Sequence, residues 1–293
     1  AYFGVELDAL NRENALNQLN GMLDEMEDAC EYGSLITVSE YDFALLKDFV
    51  AAYDAEQNLF ASGALAPLQE RLQQLIAVAE TLAQKYEVVV TNPPYMGAGN
   101  MNPKLSGFIK KKFADYKSDF FSAFIIRASE MTKPDGYCGF FTPYVWMFIQ
   151  SYEKLRKYLY SNATIETLIQ FEYSAFEEAT VPVCTFVFKN SKMNKKGCYL
   201  RLVDFRGGME VQRQKTLEAI NNHDCGFYYE QCSDNFAKIP GVPVAYWVTN
   251  WNIFNHKKLN TKLVSGGRVK THNNALYVRN WWEVDKNSNR WIP

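Results

Sequence analysis

The chain has 293 residues, enough for one large α/β domain or for one domain plus part of a second. Hydrophobic residues make up 47% and charged residues 22%, which excludes general disorder. Lys and Arg number 31 against 33 Asp and Glu, so the net charge of −2 excludes a global basic signature and leaves only local basic patches to meet nucleic acid.

Aromatic residues reach 15%; they read as a Phe- and Tyr-rich core, with some free to serve as stacking surfaces. The six cysteines form no C-x-x-C pair, and His223, His256 and His272 are scattered, so no zinc site is expected. The most apolar stretch, Phe140 to Ile149, is about half a membrane span and contains Pro143. The first residues lack a signal-peptide pattern, so a reducing cytoplasm without membrane contact is the expected setting.

In chain order, the first third reads as helical. Leu16, Leu19, Leu23 and Met26 recur three or four apart, a second helix is predicted over Tyr41 to Tyr53, and Leu68 to Tyr86 carry a third apolar stripe with Pro67 in its first turn. The pattern then changes. Val88-Val89-Val90 is a short continuous apolar run, as in a strand covered on both faces. Thr91-Asn92-Pro93-Pro94-Tyr95 ends it. A helix is predicted from about Ser118 to Met131, with Asp119 as a capping candidate, then a turn at Lys133-Pro134-Asp135-Gly136 and a strand from Tyr137 to Thr142. Ser151 suits the N-cap of a helix to Tyr160. Thr164 to Phe171 and Val181 to Lys189 read as strands, the second alternating as near an edge. Strands alternating with helices predict a doubly wound α/β fold. After about Gly207, Pro, Gly and Trp punctuate short segments; Trp247, Trp251, Trp281, Trp282 and Trp291 read mainly as core and interface residues.

Asn92-Pro93-Pro94-Tyr95 carries the chemistry. Ligands of open α/β sheets bind at the carboxyl ends of the strands. Two prolines stiffen the turn and fix where the Asn amide and the neighbouring backbone carbonyl point. Two such oxygens can accept both hydrogens of a planar exocyclic NH2, which frees the nitrogen lone pair for attack on an electrophile. Tyr95 offers a face on which the ring bearing that amine can stack.

This motif resembles the catalytic motif of the amino methyltransferases that use S-adenosylmethionine (SAM) to methylate adenine N6 in DNA. Ser118-Asp119-Phe120-Phe121, Lys133-Pro134-Asp135-Gly136-Tyr137, Ser151 to Arg156, Ser174-Ala175-Phe176 and Val181 to Phe188 follow in the order that family shows, so the resemblance spans about residues 86 to 190. It implies a Rossmann-like SAM-methyltransferase fold, with a doubly wound, mixed and partial sheet behind an N-terminal helical segment. It also implies that Asn92, Pro93, Pro94 and Tyr95 are catalytic, that Tyr95 and Phe176 clasp the flipped base, and that Asn92 and Pro93 also touch the cofactor.

A narrower resemblance, carried by Glu31 to Ile36 and Ile239 to Trp247, is to the large adenine methyltransferases of BREX phage-exclusion systems (PglX-type). Where these usually read T-G-D-N-x-x-F, this chain has Thr271 to Tyr277, a departure that unsettles the DNA contacts expected there. The family's Gly-rich cofactor loop lies upstream of the motif, and nothing before residue 86 matches it; Phe3 to Asp8 could be a strand in which Glu6 or Asp8 binds the ribose. The resemblance therefore implies an internal fragment that holds the target-base half of the site, is inactive alone and lacks most of the SAM site. The expected divisions are a helical segment (1–86), a catalytic half (87–207) and an aromatic-rich connection (208–293) towards a target-recognition domain.

Lys104, Lys110, Lys111, Lys112 and Lys117 follow the motif and could meet the phosphates of double-stranded DNA, although a solvated helix face fits them equally. The expected function is site-specific transfer of a methyl group from SAM to a flipped adenine, with restriction or phage-exclusion components as further partners. Two alternatives stay open: an N-P-P-Y methyltransferase acting on a protein glutamine or an rRNA guanine, and a non-catalytic DNA-binding or assembly module.

Overall fold

A computed structural model describes residues 8–52, 62–173, 175 and 181–256. The chain divides into two compact units, 1–249 and 250–293. Of the second, residues 250–256 are described and include a 3-10 turn, Trp251–Asn255.

The first unit opens with helices α1 (Ala9–Glu25), α2 (Ala29–Tyr32), α3 (Phe43–Ala52) and α4 (Ser62–Ala83). Asp8 caps α1, its Oδ1 accepting from the Asn11 amide at 2.7 Å. The predicted apolar stripes meet: Leu19, Met22 and Met26 of α1 pack with Leu46 and Val50 of α3 and Ile76 and Ala79 of α4. Pro67 lies inside α4 rather than in its first turn, because the helix begins at Ser62. It withholds one i→i−4 hydrogen bond there.

The sheet follows. Its strands are β1 (Tyr86–Thr91), β2 (Thr132–Pro143), β3 (Thr164–Gln170), β4 (Val183–Lys189), β5 (Gly197–Arg201) and β6 (Tyr228–Gln231), in the order β1-β2-β4-β3-β5-β6. Strands β1, β2, β3 and β5 point the same way, with β4 and β6 antiparallel to their neighbours. The remaining helices are α5 (Pro103–Lys112), α6 (Phe120–Met131), α7 (Glu153–Asn162), α8 (Gly208–Asn221) and α9 (Ser233–Phe236). Helix α6 packs on β1 and β2, and α7 on β3. It also ties the helical layer to the sheet: Arg127, 3% exposed, donates to the Ser34 and Leu82 carbonyls at 3.1 and 2.9 Å. This is the mixed, doubly wound α/β fold expected.

Several local expectations are corrected. Val88 and Val90 are 56% and 75% exposed, not covered on both faces. Among the described residues β1 is an edge strand, and only the face bearing Val89 and Thr91 meets α6. Fully burying a valine is worth about 1.5 kcal/mol or more, so this face forgoes a substantial contribution. The bare surface continues onto Tyr137 and Val187, and ends where α8 covers Ile169 and Leu200. β4 alternates because one of its faces lies on this half-open side; it is central, not near an edge. Lys133 to Gly136 are no separate turn but a bulge within β2: Tyr86 pairs with Thr132 and Val88 with Tyr137, and Asp135 adopts φ 66°. Ser151 does not cap α7; it lies in a 3-10 turn, Gln150–Tyr152, that leads into the helix. Among the described residues no helix is long and apolar enough to cross a membrane. None of them forms a group suited to hold a metal.

Candidate active site

Strand β1 delivers Asn92 to the carboxyl edge of the sheet, with its side chain exposed and Pro93 buried behind it. Tyr95 folds back over the turn. Its hydroxyl reaches Asn92 Oδ1 at 3.0 Å and the Phe141 carbonyl at the end of β2 at 3.2 Å, sharing one proton between them. Burial pushes the Tyr95 phenol up to about 12, so it stays a donor at neutral pH. Its ring stands edge-on to Phe121, 6.4 Å between centroids, and Phe121 stacks on Tyr152. Asn92 Nδ2 and the Pro93 carbonyl have no hydrogen-bond partner among the described residues. The carboxamide oxygen has a second lone pair, and with the Pro93 carbonyl it offers the two acceptors that a planar amine requires.

The turn is pinned from the start of α6. Asp119 Oδ1 accepts from the Met96 amide at 3.0 Å and from the Phe121 amide at 3.3 Å, so the same carboxylate caps the helix and holds the loop. Phe120 N donates to the Met96 carbonyl, and Ala98 N to that of Ser118. Burial raises the Asp119 carboxyl above its usual range, opposed by those amides.

The lysines do not act as one group. Lys104 is committed to Asp28 of α2. Lys112 lines a groove with Asp24, Asp28 and Glu130, while Lys110 and Lys117 line a separate cleft with Ala98. Asp8 is occupied as the α1 cap. Phe176 and Glu6 lie outside the described residues.

Two features of this edge escaped sequence reading. Arg201 ends β5 with its guanidinium 5.8 Å from the Trp247 ring, and Phe148 packs on the same indole. Arg156 of α7, fully buried, donates to the carbonyls of Trp146 and Ile149 at 2.5 and 2.8 Å. It also reaches Gly241 and Val242 at 2.7 and 3.0 Å. The cues were present in Arg156 and in Ile239-Pro240-Gly241-Val242-Pro243, but no spacing rule joins residues so far apart.

For a SAM site the described residues fit in part. The Asn92–Tyr95 turn supplies one wall; no described strand flanks β1 on its outer side to carry a ribose-binding acid, so the pocket is not enclosed.

The chain is 35% identical over 264 residues to the adenine-specific methyltransferase PglX of Lacticaseibacillus casei (strain Zhang), covering 87% of this chain and 22% of that protein. It is 34% identical over 280 residues to the adenine-specific methyltransferase BrxX of Escherichia coli O9:H4 (strain HS), covering 89% and 22%. The chain therefore spans 22% of the length of these curated relatives. A type I restriction-modification methyltransferase subunit from Streptococcus thermophilus aligns in structure with TM-score 0.43 and 15% identity, over 80% of this chain and 57% of that one. Residues 3–176 match the Eco57I restriction-modification methylase family, and the chain belongs to that family.

Proposed function

We propose that this chain supplies the target-amine half of a methyl transfer from SAM to N6 of an adenine swung out of duplex DNA, in a restriction-modification or phage-exclusion system. The observation that carries the reading is the pair of acceptors at the end of β1, Asn92 Oδ1 and the Pro93 carbonyl, on a turn held by Asp119. Asn92 and Pro93 orient the N6 amine and draw its hydrogens, leaving the lone pair to attack. Tyr95 and Phe176 hold the ring between them, stacking being worth roughly 1–3 kcal/mol per base. Asn92 and Pro93 would also hold SAM, which would supply the electrophilic methyl group and leave as S-adenosylhomocysteine, with the displaced N6 proton passing to solvent. No strong general base is required, so Asp119 acts by positioning. The names of the relatives, adenine-specific methyltransferases, support adenine over glutamine or guanine.

The test is methyl transfer from radiolabelled SAM to DNA by the full-length protein. Asn92→Ala should lower turnover by at least ~10²-fold, the scale of losing a preorganised polar contact to a reacting group. Near-normal turnover of that variant would end the role given to Asn92.

A further inference from the structure

Most lysines among the described residues are neutralised. Lys133 pairs with Glu87, Lys154 with Asp115, Lys189 with Asp135 and Lys195 with Glu166. Lys110, Lys111, Lys112 and Lys117 are exposed with no ion-pair or hydrogen-bond partner among the described residues, and two of the four, Lys110 and Lys117, form a pair. They come together on a cleft of about 260 Å³, lined also by Ala98, Ser106 and Ser118. Lys110 stands in the last turn of α5, where the helix dipole favours a cation. Lys117 has no such reason, because it follows a 3-10 turn, Ala114–Tyr116, outside any α-helix. Two uncompensated cations beside hydroxyls and a backbone turn form a site for an anion with several oxygens.

The cleft is joined to the candidate active site by its own wall. Ala98 follows Asn92 by six residues, and its amide bonds to the Ser118 carbonyl. Six residues reach at most about 22 Å, which a DNA strand rising 3.4 Å per nucleotide covers in about six nucleotides. One duplex can therefore place a base at Asn92 and its own backbone in this cleft.

We propose that Lys110 and Lys117, with the Ser106 hydroxyl, bind a backbone phosphate of the duplex that presents the target base. This inference rests on the proposed function and narrows its DNA contact to one place. Phosphate contacts fix register and carry no sequence information, so the cleft positions the duplex and leaves its sequence to be read elsewhere.

The experiment is a salt titration of duplex binding by the full-length protein, with methyl transfer measured in parallel. Two variants remove equal charge, Lys110→Gln/Lys117→Gln and Lys111→Gln/Lys112→Gln. Each phosphate contact adds about 0.9 to the slope of log K against log salt. The first variant should lower the wild-type slope by about 0.9, the share of one phosphate, and weaken binding, and the second should change the slope by less than half as much. Equal slopes for the two variants, or an unchanged slope in the first while the wild type methylates DNA, would overturn the phosphate cleft and leave the proposed function standing. A wild type that neither binds duplex nor methylates it would overturn both.

Discussion

Two irregular segments are each held by one charged side chain from a helix, in opposite senses. The turn after Asn92 is fixed by a carboxylate: Asp119 collects backbone N–H groups from Met96 and from the first turn of its own helix. The Gly241–Trp247 segment is fixed by a cation: Arg156 collects carbonyl oxygens from Trp146, Ile149, Gly241 and Val242. Neither uses an opposite charge. The cation is the more deeply committed, at 0% exposure, and it secures backbone that resists its own conformation: Gly241 has φ 79° and Val242 φ 46°. A β-branched residue in that region costs roughly 1–2 kcal/mol, which the bonds to both carbonyls offset. On the proposed function, the difference separates a segment fixed for stability from one fixed for chemistry. Arg156 holds structure together, whereas Asp119 holds a loop whose Asn92 side chain is exposed.

The largest effect should therefore come from Arg156→Met, which orphans the buried carbonyls and frees the strained turn. Unfolding in urea should show a loss of about 3 kcal/mol or more. If stability falls by less than about 1 kcal/mol, water or rearrangement satisfies those carbonyls and the contrast collapses.

Asp119→Ala should act in the other direction, on turnover more than on stability. Loss of the cap costs roughly 1–2 kcal/mol in denaturation, while an unpinned loop should lower kcat by at least ~10-fold with little change in KM for SAM. Asp119→Asn keeps an acceptor and should restore most of the rate; a variant as slow as the alanine would mean that the carboxylate does more than position. The acid side gives a second reading. Because burial raises this carboxyl above its ordinary 3.8, folding favours its protonated form. That contribution is present below the unfolded value and is lost as pH rises through the raised one, so Asp119→Asn should remove this part of the pH dependence.

The smallest effect should be Tyr160→Phe. The Tyr160 hydroxyl donates to the Val242 carbonyl at 3.3 Å, but that oxygen keeps its bond from Arg156 Nε. A loss of about 0.5–1 kcal/mol is expected by denaturation. A loss as large as that of Arg156→Met would move the role of anchor from the cation to the phenol.

Much of this was legible in the residues. Stripes three or four apart marked the helices, the apolar run before Asn92 marked β1, and Asp119 stood where a cap belongs. The failures have one cause: local pattern does not report the neighbours an element receives. Val88 to Val90 read as doubly covered because the run is apolar, yet one face is bare. Lys133 to Gly136 hold the residues of a turn, and the same residues serve as a bulge between paired stretches of β2. The five lysines share a segment of sequence, but Asp28, more than seventy residues earlier, takes Lys104 out of the group.

The hydroxyl of Tyr95 on Asn92 Oδ1 has a thermodynamic consequence. Asn92 Oδ1 already accepts from Tyr95, so on the proposed function an arriving amine takes its second lone pair, and a second bond to one oxygen is weaker than a first. The net gain in the resting complex is then small, near the bottom of the range of about 0.5–1.5 kcal/mol for an ordinary hydrogen bond. The amide therefore adds little to how tightly the base is held. Its effect appears as the nitrogen pyramidalises and its hydrogens acidify, so that Asn92 sets the speed of the reaction and the stacking rings set its affinity.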